Sequence, residues 1–392
     1  MKELKNGIYY TGAINPNLRV FDIIMKTEYG TSYNSYLIKG EKIALVETVH
    51  EKFAKIMLDN IEEITPAKNI DYIIMNHTEP DHSGSILTLL EINPDITIVG
   101  TSAAIKNIRN IVNRDFNSLV VKTGDKLSLG NGMDAEFIVS PNLHWPDSMF
   151  TYIPEQKTVF TCDFLGCHYC EPLLTDDEIT YPKAYDESFA YYYSAIFGPF
   201  KKFVIDGLDH LEKLDFDMVC TSHGPVLKNG FKKAMELYRE WSLPKVKEKN
   251  AAIFYVSAYG YTKSAAEAFE EELTKLGIKT EAYNIIEHSY GELVEAFENA
   301  SGVMFGSPTI NRDALKPVWD LISSIDAVTG KGKPFMVFGS YGWSGEACKM
   351  LHDRAVSFGL KPVSDPYRFL MKPTEDDFNN INSLAQSFES SL

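Results

Sequence analysis

The chain has 392 residues, 44% hydrophobic and 12% aromatic, enough apolar material for two buried cores, so two domains are the default expectation. Its 38 basic and 54 acidic side chains give a net charge of -16 and a pI near 5.1, which excludes nucleic acid and anionic membrane as principal partners, because both demand a basic face. No apolar run reaches membrane-spanning length, Met1 to Asn6 lacks the apolar core of a signal peptide, and the odd count of five cysteines implies reduced thiols, so a cytoplasmic protein is expected.

Gly7 to Val49 reads as strands and turns: Leu18 to Met25 and Ser32 to Ile38 are strand-like, and Lys39-Gly40-Glu41 turns into a strand over Lys42 to Val49. Glu51 to Ile64 spaces Phe53, Ile56, Met57 and Ile61 as a helix does. Tyr72 to Met75 is β-rich and too short for a helix. The following Asn76-His77-Thr78-Glu79-Pro80-Asp81-His82-Ser83-Gly84 is expected on a loop, since Pro80 and Gly84 oppose both a continued strand and an immediate helix. A helix over Ile86 to Ile92, a strand over Ile96 to Val99 and a helix over Ala103 to Val112 come next, then two hairpin strands joined at Gly130-Asn131-Gly132. Tyr181 to Leu214 is aromatic-rich and mostly helical, with Tyr191-Tyr192-Tyr193 read as packing.

Four metal-competent side chains thus leave one strand end within six positions: His77, Glu79, Asp81 and His82. Three more sit at similar junctions. His144 follows the strand-like Ala135 to Ser140, Asp163 follows Thr158 to Thr161, and His223 follows Met218 to Thr221 ahead of Gly224-Pro225. A lone His or Asp at a strand end is usually a satisfied polar group; one loop with three matching junctions is a different case. His50, His168, His210, His288 and His352 have no such company and are read as structural or surface residues. Imidazole suits zinc, copper and iron while carboxylates favour harder ions, so four imidazoles with three carboxylates lean towards iron or manganese. Three carboxylates plus a bridging hydroxide neutralise two divalent ions, which makes a dinuclear site the economical reading. Cys167-His168-Tyr169-Cys170 has no second Cys-x-x-Cys pair; it is read as thiols packed near the metal rather than a redox centre or a fused rubredoxin domain.

The expected boundaries are a metal domain over 1–243, a charged, proline-broken linker over 244–250, and a second domain over 251–392. That second domain alternates strand and helix: strands over Ala252 to Val256, Thr280 to Asn284, Gly302 to Phe305, Phe335 to Phe338 and Tyr367 to Met371, with helices over Thr262 to Leu276, Gly291 to Glu298 and the C-terminus. Five strands with crossover helices make a doubly wound α/β sheet that binds ligands beyond the carboxyl ends of its strands. Ser257, Tyr259, Gly260, Tyr261 and Thr262 join the first strand to its helix and suit a phosphate monoester. Gly-x-Gly-x-x-Gly and Gly-Lys-Ser/Thr are both missing, which disfavours a dinucleotide or a nucleoside triphosphate. Two further loops, with Ser307, Pro308, Thr309 and Asn311, and with Ser340, Tyr341, Gly342, Trp343 and Gly345, offer aromatic faces and approachable amides to a planar ring.

The His-x-Glu-x-Asp-His loop with Leu143-His144-Trp145-Pro146-Asp147-Ser148-Met149, Asp163 and Ser222-His223-Gly224-Pro225, followed by flavodoxin-like loops, resembles the flavodiiron proteins across essentially the whole chain. The resemblance implies a metallo-β-lactamase-like αββα sandwich followed by a flavodoxin-like sheet. Glu79 stands where zinc hydrolases of that fold usually carry His, which moves the reading from hydrolysis to redox iron. By the same resemblance His77, Glu79 and His144 hold one iron, Asp81, His82 and His223 the other, and Asp163 bridges; in some relatives the His82 counterpart swings out. The resemblance further implies FMN, reduction of dioxygen to water or of nitric oxide to nitrous oxide, and a head-to-tail homodimer or dimer of dimers. In that dimer the FMN of one subunit serves the irons of the other. The external electron donor would be rubredoxin, or a reduced deazaflavin in methanogens. Preference between the gases would rest on groups around the irons, with Tyr192 and His168 as candidates. A zinc hydrolase of the same fold explains neither Glu79 nor the second half, and a flavodoxin-like carrier with an empty metal domain leaves seven filled ligand positions without purpose.

Overall fold

The computed structural model describes residues 2–22, 25–243, 249–325 and 327–392. The chain folds as two compact units, Met1–Leu243 and Pro244–Leu392. Of the expected linker, residues 244–248 lie outside the described residues, and Asn250 already opens a strand.

In the first unit two sheets lie face to face. One has seven strands in the order Lys2–Lys5, Ile8–Tyr10, Tyr36–Lys39, Ile43–Val46, Tyr72–Ile74, Thr97–Gly100 and Asn117–Val120. The other orders five: Lys126–Ser128, Asp134–Val139, Met149–Ile153, Thr158–Cys162 and Met218–Thr221. Strand side chains alternate between faces, and both faces here are buried, which is why these strands read as continuous apolar runs. Ile38, Val46, Ile74 and Val99 meet Phe137, Met149, Phe160 and Met218 between the sheets. Their neighbours Leu37, Leu45, Ile73 and Ile98 turn outwards to Met57 and Ile61 of helix Ala54–Glu62 and to Ile105 and Ile108 of helix Ser102–Val112. Each fully buried Ile or Leu is worth about 1.5–3 kcal/mol. On the far side Phe150 and Val159 pack under Val204 and Leu208 of helix Lys201–Leu211 and Tyr238 of helix Phe231–Ser242. The αββα sandwich is therefore the observed fold.

Two local expectations are corrected. The strand expected over Leu18 to Met25 is two short pieces, Val20–Phe21 and Met25–Lys26, paired antiparallel, with Asp22 in the left-handed region at φ 47°; Ile23 and Ile24 lie outside the described residues. The metal loop is not wholly irregular either. Pro80–Ser83 is a single helical turn with proline at its first position. That position needs no N–H donor, and proline's φ is already helical there, so Pro80 starts the turn instead of forbidding it.

The second unit is a parallel sheet in the order Lys279–Asn284, Asn250–Tyr255, Gly302–Gly306 and Pro334–Tyr341. Five strands were expected, but beside Pro334–Tyr341 run two pieces, Lys361–Pro362 and Tyr367–Leu370, so the sheet has six. Phe254, Phe305 and Phe335 fill one face under helices Tyr290–Asn299 and Lys316–Ser324. Ile253, Met304 and Phe338 fill the other under Tyr261–Lys275 and Glu375–Glu389. The order is that of flavodoxin-like sheets, whose ligand crevice lies where the chain reverses direction across the sheet.

Candidate metal centre and flavin cavity

The seven sequence-selected side chains converge from four junctions of the sandwich. The loop after Tyr72–Ile74 is pinned before the first ligand: the Asn76 N–H donates to Glu47 Oε1 at 2.7 Å, and Asn76 Oδ1 accepts from Thr151 Oγ1 at 2.6 Å. His77 then points inwards, and the helical turn after Glu79 carries Asp81 and His82 round to the same centre. His223 is fixed by a tight turn in which Gly224 adopts φ 78°, with a would-be Cβ only 2.9 Å from the Cys167 carbonyl, so no larger residue fits.

The geometry divides into two trios around one carboxylate. His77 Nε2 and His144 Nε2 lie 3.3 and 3.2 Å from Glu79 Oε2, and 3.8 and 3.5 Å from Asp163 Oδ2. His223 Nε2 lies 3.0 Å from Asp81 Oδ2 and His82 Nε2 3.4 Å from Asp81 Oδ1; both face Asp163 Oδ1, at 3.4 and 3.2 Å. Asp163 thus presents one oxygen to each trio. Both carboxylate oxygens of Asp81 and of Asp163, together with His82 Nε2, are buried without a hydrogen-bond partner. Orphaned buried carboxylates are expensive, and a cation between them removes the cost. The donor set therefore fits two metal ions.

Electrostatics point the same way. Burial opposes charge on His77, yet Asp147, Glu79 and Asp163 raise its pKa to about 10. Burial is likewise outweighed at His82, chiefly by Asp81 and Asp163, and at His144 by Asp163 and Glu79, so both rings are raised. Despite burial, His144 and His77 hold Glu79 below the usual carboxylate range, and His82 and its neighbours do the same for Asp163. Without metal His77, His82 and His144 hold compensating protons, which metal ions must displace.

The walls are apolar. Trp145 stands edge-on to His77 at 4.9 Å between ring centroids, Phe21 lies 5.8 Å from His223, and Phe197 6.3 Å from His144. Only Glu79 and His144, at 14% and 15% exposure, show an appreciable edge to solvent among the seven. His168, read from sequence as a structural or surface residue, is buried: its ring lies 4.7 Å from His223 and 4.9 Å from Tyr192, and its Nδ1 bonds Thr31 Oγ1 at 2.8 Å. Burial and the neighbouring His223 push its pKa well below the usual imidazole value, so it is neutral.

Sequence reasoning missed the groups that hold these ligands. Asp147 Oδ2 lies 3.3 Å from His77 Nδ1 and accepts from Thr78 Oγ1 at 2.7 Å. The Ser32 carbonyl lies 2.6 Å from His223 Nδ1. Glu47, wholly buried, has its carboxyl pushed up to about 8 by desolvation, against the pull of His82 and the Asn76 N–H. Asp147 was visible in the motif after His144; nothing in the sequence marked Ser32 or Glu47, because their contacts depend on strand pairing.

In the second unit an open cavity of about 530 Å³ lies beyond the strand ends, lined among others by Tyr259, Tyr261, Pro308, Thr309, Asn311, Ser340, Tyr341, Gly342 and Trp343. Ile310 and Ser344 of the same two loops also line it, as do Arg312 and Met371, which were not foreseen. Trp343 is 97% and Tyr259 82% exposed. Gly260, at φ 85°, precedes helix Tyr261–Lys275, whose first turn has no side-chain cap, and Ser257 Oγ nearby in sequence is buried without a partner. Free N–H groups and an unused hydroxyl at a helix start fit a phosphate. Of the remaining residues, Thr262 Oγ1 contacts Ser340 Oγ at 3.1 Å, Gly345 opens helix Glu346–Ser357, and Ser307 is turned inwards, accepting from the Leu315 N–H at 3.0 Å.

An αββα metal sandwich followed by a flavodoxin-like sheet defines the class, and comparison with known proteins gives the family. The ODP family beta lactamase profile matches residues 31–224 and the flavodoxin profile residues 253–380. The chain is 46% identical to flavo-diiron protein FprA2 of Clostridium acetobutylicum, covering 100% of this chain and 99% of that one. It is 32% identical to type A flavoprotein fprA of Rhodobacter capsulatus, covering 94% and 86%. Among solved structures it is similar to rubredoxin oxygen:oxidoreductase of Desulfovibrio gigas (TM-score 0.74, 26% identity, 100% and 98% covered) and to the flavodiiron protein of Giardia intestinalis (TM-score 0.70, 25% identity, 100% and 97% covered). The chain belongs to the flavodiiron protein family. It is accordingly an oxidoreductase of a family that uses FMN and a diiron centre to reduce dioxygen, nitric oxide or both. Among the described residues no helix is long and apolar enough to cross a membrane.

Proposed function

We propose that this chain reduces dioxygen to water at two irons, with electrons relayed through FMN. His77, Glu79 and His144 would hold one iron, Asp81, His82 and His223 the other, and Asp163 both. The observation that carries the reading is Asp163 itself, with one unpartnered, buried oxygen turned towards each trio. When bound, the irons supply electrons to a diatomic gas and FMN replenishes them. The protein's own part is placement. Asp147 and the Ser32 carbonyl fix the rings of His77 and His223. Trp145, Phe21 and Phe197 keep bulk water from the cluster, leaving the Glu79 and His144 edge as the approach for a small gas. Loops carrying Tyr259, Tyr341 and Trp343 would flank the flavin ring, and the start of helix Tyr261–Lys275 would take its phosphate.

Oxygen is preferred over nitric oxide because a relative of matching fold across the whole chain is named as an oxygen oxidoreductase. The same name makes rubredoxin the proposed donor. A head-to-tail homodimer in the cytoplasm completes the proposal; the exposed aromatic rim of Trp343 and Tyr259 suits burial against a second subunit. The test is anaerobic stopped-flow of the fully reduced, iron-loaded protein against each gas. Flavin and iron should reoxidise faster with dioxygen; faster oxidation by nitric oxide, with nitrous oxide as product, would reverse the preference. Two zincs instead of two irons in active protein would overturn the redox reading altogether.

A further inference from the structure

Two of the proposed ligand rings are held on the nitrogen that faces away from the cluster, His77 by Asp147 and His223 by the Ser32 carbonyl. His82 turns its Nε2, unpartnered, towards Asp81 and Asp163, and a ring nitrogen of His82, a carboxylate oxygen of Glu47 and Cys162 Sγ all lie within 4.8 Å of one another. Glu47 is 1% exposed. Its Oε1 accepts the Asn76 N–H at 2.7 Å, while its Oε2 is buried without a partner. The residue stands at the end of strand Ile43–Val46 with φ 58°, a left-handed conformation that a non-glycine residue adopts at a cost and keeps where the surroundings demand it. Its neighbour Thr48 grips His82 from the backbone side, donating both N–H, at 2.9 Å, and Oγ1, at 2.5 Å, to the His82 carbonyl. None of the seven proposed ligand roles uses Glu47.

We infer that Glu47 is the positioning residue for His82: with a metal ion on one ring nitrogen, the other donates its N–H to Glu47 Oε2, which holds the ring in the ligating orientation. The inference rests on the proposed role of His82 as a ligand. An imidazole so held is both oriented and made a stronger donor, and loss of such a partner typically weakens metal binding by about 10–100-fold.

The test is anaerobic calorimetric titration of metal-free, FMN-loaded protein with ferrous ion, for wild type, E47A, E47Q, H82A and the E47A/H82A double variant. E47A should weaken one of the two ions by about 10–100-fold and leave the other as in wild type. E47Q, which keeps the size but lacks the carboxylate, should show the same selective loss and serves if E47A does not fold. In the double variant the loss should not exceed that of H82A alone, because without the ring Glu47 has nothing to hold. Wild-type affinity for both ions in E47A or E47Q overturns the inference, as do losses that add in the double variant. Wild-type protein that binds no ferrous ion overturns the ligand assignment as well, so the two failures are distinguishable.

Discussion

The candidate metal centre and the candidate flavin cavity treat water in opposite ways. Asp81, His82, Asp163 and His223 are all within 5% of full burial, with carboxylate oxygens left unpartnered. Trp343 and Tyr259 at the cavity stand almost wholly in solvent. The first site carries an electrostatic cost before its ligand arrives, which the fold of the first unit must absorb and a cation offsets. The second carries almost none, and its affinity arises when exposed rings are covered. Removing metal should therefore disturb the protein far more than removing flavin.

The largest expected effect is at Asp163. Asp163→Asn keeps the size but removes the charge that faces both trios, so iron should be lost from both positions and turnover with it, while flavin content stays at wild-type level; metal analysis and absorbance decide. If one full equivalent of iron remained, the trios would be independent. His144→Asn comes next, since His144 serves one trio and sits on the partly exposed edge. Iron content and turnover should fall with FMN retained, and surviving turnover would remove His144 from the ligand set.

Metal removal sharpens the comparison through pH. In the metal-free protein His77 is raised from 6.5 to about 10 and Glu47 from 4.5 to about 8. Both bind protons more tightly when folded. The stability that His77 contributes is thus fully present below pH 6.5 and lost as pH rises through about 10; that of Glu47 is present below 4.5 and lost through about 8. Metal-free protein should accordingly melt at a lower temperature at pH 9 than at pH 7, and iron should flatten that dependence by replacing the protons. Uptake of iron at pH 7 should release protons measurable with an indicator dye. In the flavin half, Trp343→Ala should weaken FMN by about 1–3 kcal/mol, roughly five- to 150-fold in Kd, the range for aromatic side chains stacked on nucleobases. Iron content should not change.

Much of this was legible in the sequence because the ligand-bearing junctions follow short apolar runs, and the buried strands Tyr72–Ile74, Thr158–Cys162 and Met218–Thr221 carry no charged residue before their ends. What stayed hidden depends on pairing that one-dimensional pattern does not carry. Glu47 reaches Asn76 because strands Ile43–Val46 and Tyr72–Ile74 are parallel neighbours, and Ser32 reaches His223 across 191 residues. Pro80 misled because proline ends a helix interior but begins a first turn. Asp22 broke an otherwise β-rich run by adopting a left-handed backbone, a conformation that Asp tolerates without any sequence mark. In the flavin half the loops were found by position, yet Ser307 spends its hydroxyl on its own turn, which the same loop pattern allows.

The smallest effect tests whether the two regions are energetically separate. Helix Tyr290–Asn299 begins with a reciprocal cap: Ser289 Oγ accepts the Glu292 N–H at 3.3 Å, and Glu292 Oε2 accepts the Ser289 N–H at 2.8 Å. The helix buries Leu293 and Phe297 in the core of the flavin half, far in sequence from every proposed iron ligand. Ser289→Ala removes the acceptor and should cost about 1 kcal/mol. The cost should appear as a small drop in the melting transition followed by flavin fluorescence, with iron content and its absorbance untouched. Should iron be shed as well, stability is shared between the units, and the contrast between a preloaded metal site and an open flavin site no longer describes two independent parts.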